Sequence, residues 1–273
     1  PNPNSNPNPA SQELPIYGAK LIACRECTLD LHGKPVAHTW TTLAAPTEPG
    51  ATVLRLMKAV DWPVGATIVV ASTEEWDALA DQQPTDPVTL LRRPAPEKRT
   101  ITAISADGTS LTVEPPLLFA HMGETRSYTT SSGELQLVEL RAEVALLSRN
   151  VRIEGDGDSV APALYGAHLM LHSIGHESLV ARIENIEMHR AGQYARKERH
   201  PINFHRIGHV EQSYVRSNSM HNLYYRAVQI NDVSKLRVHN NVIYDVVGHA
   251  VHMEKGTETK CTSAAAAAWA RWR

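Results

Sequence analysis

The 273-residue sequence predicts an all-β chain whose main body is a right-handed parallel β-helix, with a small β-rich unit inserted in it or preceding it. Three observations predict this. A stretch recurs after 23 residues: moved forward by that interval, Tyr214–Asp232 places Val215 on Val238, Met220 on Ile243, Val228 on Val251 and Ile230 on Met253. A fixed period of this size marks stacked units, none of which buries its apolar face alone. The apolar positions are Val, Ile, Met and Phe in short period-two bursts, and no unit has a helix-length stretch. That pattern fits short strands separated by turns, and not a leucine-rich repeat, which needs a leucine lattice. Finally, Asn218 aligns with Asn241, as a ladder of amides bonding rung to rung requires.

Taken in order, residues 1–12 (PNPNSNPNPASQ) read as an extended, disordered Pro/Asn-rich arm. Residues 13–48 hold the first β-helix strands: Leu21 and Ala23, then Leu29 and Leu31, alternate up to Gly33. Residues 49–134 read as a separate β-rich unit with strands at Thr52–Leu56, Thr67–Ala71, Arg99–Ile104 and Ser110–Glu114. Asp107-Gly108 between the last two is a hairpin signal. Within this unit, 74–97 is loop, with four prolines and one helical turn at Glu74–Leu79. The β-helix rungs are assigned to 135–258, with strands at Val138–Leu147, Val151–Glu154, Ala167–His172 and Ala181–Met188. HPINFH (His200–His205), RAVQIN (Arg226–Asn231) and HAVHME (His249–Glu254) occupy one position in successive rungs. The first interval is 26 rather than 23, which places an extra loop near Tyr194–Arg199. The tail 259–273 breaks the pattern and offers no evident cap for the solenoid.

Composition excludes several functions. Net charge is -2, so nothing points to nucleic acid or to a charged membrane surface. No apolar run reaches 18 residues, as a transmembrane helix needs. No signal peptide is evident, and a start at Pro rather than Met reads as a fragment. Cys24 and Cys27 form a C-x-x-C within strand-like alternation. Without a second ligand pair it is not a zinc site. Two ordinary small side chains is the default reading, with a disulfide or redox pair as the alternative.

Fourteen histidines is a high number, and eleven of them fall between His168 and His252. In HPINFH, Ile202 and Phe204 share one parity while Asn203 and His205 share the other; the later rungs repeat this. The outward face is therefore expected to show two columns, Asn203–Gln229–His252 and His205–Asn231–Glu254, with His200, Arg226 and His249 at the strand entry. Strands lie about 4.8 Å apart, so His205 and Glu254, two rungs apart, stand roughly 9–10 Å from one another. Such a face can grip a sugar chain, and Arg226 suits a uronate carboxylate because guanidinium binds carboxylate in a bidentate fork. For catalysis, Glu254 is the candidate general acid or base, with His205 or His252 as its partner. A glycosidase ordinarily uses two carboxylates, and only Glu254 lies in the columns. No cofactor is fixed by the sequence, and calcium is the candidate. A calcium site from Glu254, His252 and His205 is the one metal arrangement offered, although calcium prefers oxygen ligands. The bland alternative is a solvated polar face, or inward histidines bonded to neighbouring rungs. Trp62 before Pro63 reads as a core anchor, and Arg196–Arg199 as a solvated loop beside the groove.

The residues also carry a resemblance. Leu14–Pro35 with Ala37–Leu43 resembles the end of the extracellular domain named for its eight glycines. Val60–Thr73 and Arg99–Pro115 look like the β-rich segment that follows it. His200–His205, Ser213–His221 and Gly248–Gly256 resemble the β-helix repeats of a family that includes fibrocystin-like receptors, a cell-surface hyaluronidase and a cell-migration-inducing hyaluronan-binding protein. The resemblance covers roughly 13–258. It implies an extracellular or cell-surface location in a parent that is secreted or anchored by one membrane span. It also implies a polysaccharide or an extracellular protein as partner. Relatives usually carry His at the positions of Asn203 and Asn231 and an acid at that of Lys255. Those departures favour glycan binding over hydrolysis. A structural receptor ectodomain is the third class.

Overall fold

A computed structural model describes residues 14, 17–73, 96–157, 164–175, 178–264 and 267–270. The expected disordered arm 1–12 and the helical turn at Glu74–Leu79 lie outside the described residues. The chain forms two compact units, 1–35 with 149–273, and 36–148.

The first unit starts with β1 (Leu21–Arg25) and β2 (Thr28–His32). The chain then departs into the second unit. It lays down there β3 (Trp40–Thr42), β4 (Val53–Arg55), β5 (Thr67–Val70), β6 (Glu97–Ile104), β7 (Ser110–Glu114), β8 (Gly123–Thr129), β9 (Leu135–Arg141) and β10 (Glu143–Leu146). It returns as β11 (Val151–Glu154), which completes the first rung. Each later rung has three strands: β12 (His168–His172), β13 (Val180–Glu184) and β14 (Ile186–His189), then β15 (Ile202–His209), β16 (Tyr214–Arg216) and β17 (Ser219–Leu223). The fourth is β18 (Val228–Ser234), β19 (Arg237–His239) and β20 (Val242–Val246), and the fifth β21 (Val251–Met253), β22 (Thr262–Ala264) and β23 (Ala267–Ala270).

Like strands of successive rungs pair in parallel, giving three five-stranded sheets: β1-β12-β15-β18-β21, β2-β13-β16-β19-β22 and β11-β14-β17-β20-β23. This is a parallel β-helix. The register pairs Val215 with Val238, Met220 with Ile243, and Val228 with Val251, as the repeat predicts. Apolar side chains of all three sheets meet inside: Leu169, Ile202, Phe204 and Val228 from the first, Ile183 and Val215 from the second, Met188 and Met220 from the third. Each such side chain contributes roughly 1.5–3 kcal/mol relative to an exposed one.

The chain changes sheets at residues with left-handed backbone. Asn185, Ser217 and Asn240 (φ 53, 56 and 55) stack between the second and third sheets. Asparagine tolerates this conformation better than most residues. The corner at Asn185 divides the single strand expected over Ala181–Met188 into β13 and β14. Period-two alternation continues through a one-residue corner, so the sequence does not reveal it. Beside this corner, Asn218 Oδ1 accepts from Ile186 N (3.1 Å), and Asn241 Oδ1 accepts from Asn218 N and Asn218 Nδ2 (3.0 Å each). Both asparagines are fully buried, and the amide ladder is present.

Four further expectations are corrected. Val138–Leu147 is not a rung. β9 pairs with β8 in a hairpin, and β10 pairs antiparallel with β3 and β5. The β-helix therefore resumes at 149 rather than 135, and the second unit begins at 36 rather than 49. The tail is not patternless, because β22 and β23 pair with β19 and β20 and add a fifth rung. Cys24 and Cys27 form a disulfide rather than two free thiols; the turn between β1 and β2 brings their Cα atoms to 5.6 Å.

In the second unit, β3-β10-β5-β6-β7-β4 form an antiparallel sheet whose two edges meet through the Leu43–Leu56 bridge. Its core holds Leu54, Ile68, Ile101, Leu111 and Trp62. Trp62 is buried with its indole N–H donating to His38 O (2.7 Å), so the anchor reading holds. A buried cluster ties the 115–121 segment to β6: Glu97 pairs with Arg99 and with His121 Nε2 (2.9 Å) and accepts from the backbone of Leu118 and Phe119.

Candidate functional site

The first sheet carries the candidate residues. Because Ile202, Phe204, Val228 and Ile230 point into the core, alternate residues face outward. The register stacks Met170, Asn203, Gln229 and His252 in one column, and His172, His205 and Asn231 in the next. Glu254 extends the second column, its amide donating to Ile230 O (3.0 Å).

These columns are not one open groove. Asn203 is 0% exposed, Gln229 1%, His200 3%, His205 5% and Asn231 6%. The cover over Asn203 and His205 is the extra loop. Asn203 Nδ2 donates to the Glu198 carbonyl (2.9 Å), and the Glu198 carboxylate lies 3.8 Å from His205 Nε2. The segment Arg196–Arg199, expected to be solvated throughout, turns Glu198 inward while Arg196 and Lys197 stay exposed. Arg226 and His252 are half-buried, and His249 and Glu254 are exposed.

At this open end the side chains form a single network. Gln229 Nε2 and Asn231 Nδ2 both donate to Glu254 Oε2 (2.8 and 2.9 Å). His252 Nδ1 lies 3.1 Å from Gln229 Oε1, and Arg226 reaches Gln229 Oε1 at 3.5 Å. His249 and His252 sit 5.1 Å apart, centroid to centroid. Among the described residues no carboxylate pairs with Arg226. Burial, followed by the Arg226 charge, lowers the pKa of His252. His200 stacks on Tyr225 at 4.4 Å, and burial with the Arg226 charge pushes its pKa down to about 3. Burial also lowers His205, against the opposing pull of Glu198. These rings are neutral hydrogen-bonding groups at neutral pH.

Sequence reasoning missed several residues. Glu198 sits in the loop outside the repeat, so no column position announces it. His172 packs 5.4 Å from His205 and belongs to the same column, but the 33-residue spacing between those rungs departs from the repeat. A cavity of about 310 Å³ opens beside it, lined by His172, Ile174, Arg206, Gly208 and Asp232. On the third sheet, Glu154 with His189 (2.7 Å) and Glu187 with His221 (3.1 Å) make a second polar cluster, bridged by Arg152. Arg190 also pairs with Glu154 (3.5 Å). Among the described residues no three His, Cys, Asp or Glu side chains converge as metal ligands, and no helix is long and apolar enough to cross a membrane.

Fold and site define a parallel β-helix with a partly covered polar outer sheet and a β-rich unit inserted after its second strand. Residues 164–266 match the CEMIP beta-helix family and residues 4–44 match the G8 domain. Fibrocystin-L of Homo sapiens is 36% identical over 91% of this chain and 6% of its own length. A G8 domain-containing protein of Dictyostelium discoideum is 30% identical over 89% of this chain and 19% of its own. Among solved structures, the tailspike of Pseudomonas phage phi297 is similar with a TM-score of 0.27 and 12% identity, over 89% of this chain and 34% of that one. Two segments of the chain thus match the G8 domain and the CEMIP beta-helix, and the chain spans 6% of the length of fibrocystin-L and 19% of that of the Dictyostelium relative.

Proposed function

We propose that this chain is an extracellular module that binds an anionic polysaccharide across the β18–β21 end of the first sheet. The observation that carries the reading is Arg226, a guanidinium without an acidic partner among the described residues, beside an open network of Gln229, Asn231, His252 and Glu254. Guanidinium binds a carboxylate through two parallel hydrogen bonds, and the amide and imidazole groups suit sugar hydroxyls. His200 and His249 stand at the entry, and the relation to fibrocystin-L supports an extracellular setting.

Retention on immobilised hyaluronan, compared with a neutral chitin oligomer, tests it. Wild type is expected to be retained by the anionic polymer. Arg226→Ala should weaken retention by about 10–100-fold, the worth of a charged hydrogen-bond pair. No retention of wild type, or equal retention of Arg226→Ala, overturns the reading. A hydrolytic reading draws on Glu198 and Glu254, whose charges both act on His205, with His252 beside Glu254 as a further candidate. It requires that the polymer shorten, and that Glu254→Gln stop the shortening.

A further inference from the structure

Beneath the loop that covers the first sheet lies an unusual set of atoms. His200 Nδ1, Asn203 Oδ1 and His205 Nδ1 are buried and have no hydrogen-bond partner. Gln193 Oε1, at the base of the loop, and Asn231 Oδ1, beside His205 in the register, share that condition. Nearly all buried polar groups in folded proteins are paired, and an orphan costs about 1–3 kcal/mol. Five of them around one loop and the two strands beneath it mark a place where something else makes those bonds.

The loop is closed by backbone bonds at its base and within its own turn, Gln193 N to Arg199 O (2.9 Å), Tyr194 N to Leu164 O (3.0 Å), Arg196 N to Gln193 O and Arg199 N to Arg196 O (3.2 Å each), whereas few polar contacts bind it to the sheet below. Asn203 Nδ2 reaches one carbonyl, that of Glu198. The Glu198 carboxylate stands at 3.8 Å from His205, beyond hydrogen-bond range. Arg196 lies over the Tyr165 ring at 4.7 Å, outside the columns. Ala195 and Glu198 both adopt left-handed backbone (φ 53 and 63), and Gly192 at the near end has φ 84. Left-handed backbone costs a non-glycine residue about 1–2 kcal/mol, so two such residues in a short exposed loop lower the cost of rearranging it.

We propose that Tyr194–Arg199 is a lid over the first sheet, and that its opening exposes Asn203 and His205 to continue the surface that begins at Arg226 and Glu254. Opening withdraws Glu198 from both residues and frees their outward atoms. Hydroxyl groups of a sugar chain then donate to Asn203 Oδ1, Asn231 Oδ1 and His205 Nδ1. The assignment of that ligand rests on the polysaccharide reading above; the existence of the lid does not.

Two ligand-free measurements on the whole chain test the lid. In native-state hydrogen exchange, the amides of Tyr194, Arg196 and Arg199 should exchange at least about 100-fold faster than those of Ile202 and Val228. In carbethoxylation with diethylpyrocarbonate, His205 should react while the Ile202 and Val228 amides remain protected, because opening does not require unfolding. Glu198→Ala, which removes the carboxylate from His205, should speed that reaction several-fold. If the loop amides are as protected as the sheet, or if His205 reacts only as the sheet unfolds, the loop is a fixed wall and the lid is refuted. A hyaluronan hexasaccharide added to the same reaction should slow the modification of His205. If it leaves the rate unchanged while the exchange result holds, the lid stands and the polysaccharide assignment falls.

Discussion

Asn241→Ala is expected to lower the unfolding free energy by about 3 kcal/mol, because it leaves buried polar groups unpaired at one corner. Asn241 Oδ1 accepts from Asn218 N and Nδ2, and its own Nδ2 donates to Val215 O at 2.9 Å. Asn218 Nδ2 keeps its bond to Ile183 O, but Asn218 N and Val215 O lose the asparagine and are shielded from water. The effect should spread beyond the mutated rung, because Asn218 positions Ile186 in the rung before it. Urea unfolding of the variant beside Glu211→Ala gives the comparison. Glu211 makes an exposed pair with Lys235 at 3.2 Å, and loss of such a pair costs about 0–1 kcal/mol. If the two variants lose similar stability, the ladder is not a structural element of this β-helix.

Stability is also expected to fall steeply between pH 7 and pH 5. Burial, with nearby arginine charge, lowers the pKa of His168 to about 4 and of His200 to about 3. Unfolded histidines titrate near 6.5. Between those values the unfolded chain binds more protons than the folded one, so each step down in pH favours unfolding. The stability that these rings contribute is complete above about pH 6.5 and is lost as the pH falls through that window. Together the two amount to about 3–4 kcal/mol from pH 7 to pH 5, and His205, also lowered, acts in the same direction. Urea midpoints at pH 7, 6 and 5 measure the slope, and His200→Gln should remove about 2 kcal/mol of the loss. A midpoint that does not change over this range would show that these rings are solvated in the folded state.

What could be read in the sequence follows from which interactions are local or periodic. Strand β15 was legible because Ile202 and Phe204 alternate with Asn203 and His205, and burial enforces that alternation. The stacking of β15, β18 and β21 was legible because identical offsets place Phe204, Ile230 and Met253 in one apolar column. The corners at Asn185 and Ser217 were not, since left-handed backbone at one residue leaves the alternation on either side intact. The end of the inserted unit is not legible, because Glu143–Leu146 reads like another rung. Its antiparallel partners, Thr67–Val70 and Trp40–Thr42, lie far away in sequence.

The candidate site divides in the same way. The sequence by itself determined which residues share a column, because register follows the repeat: Asn203 with Gln229 and His252, His205 with Asn231 and Glu254. Only the tertiary structure decided which of them meet solvent. A loop outside the repeat bends Glu198 back over Asn203 and His205, and no periodic signal encodes where an aperiodic segment lands. The fold therefore follows from the spacing of apolar residues, whereas the accessible chemistry depends on one insertion that folds back over the strand following it.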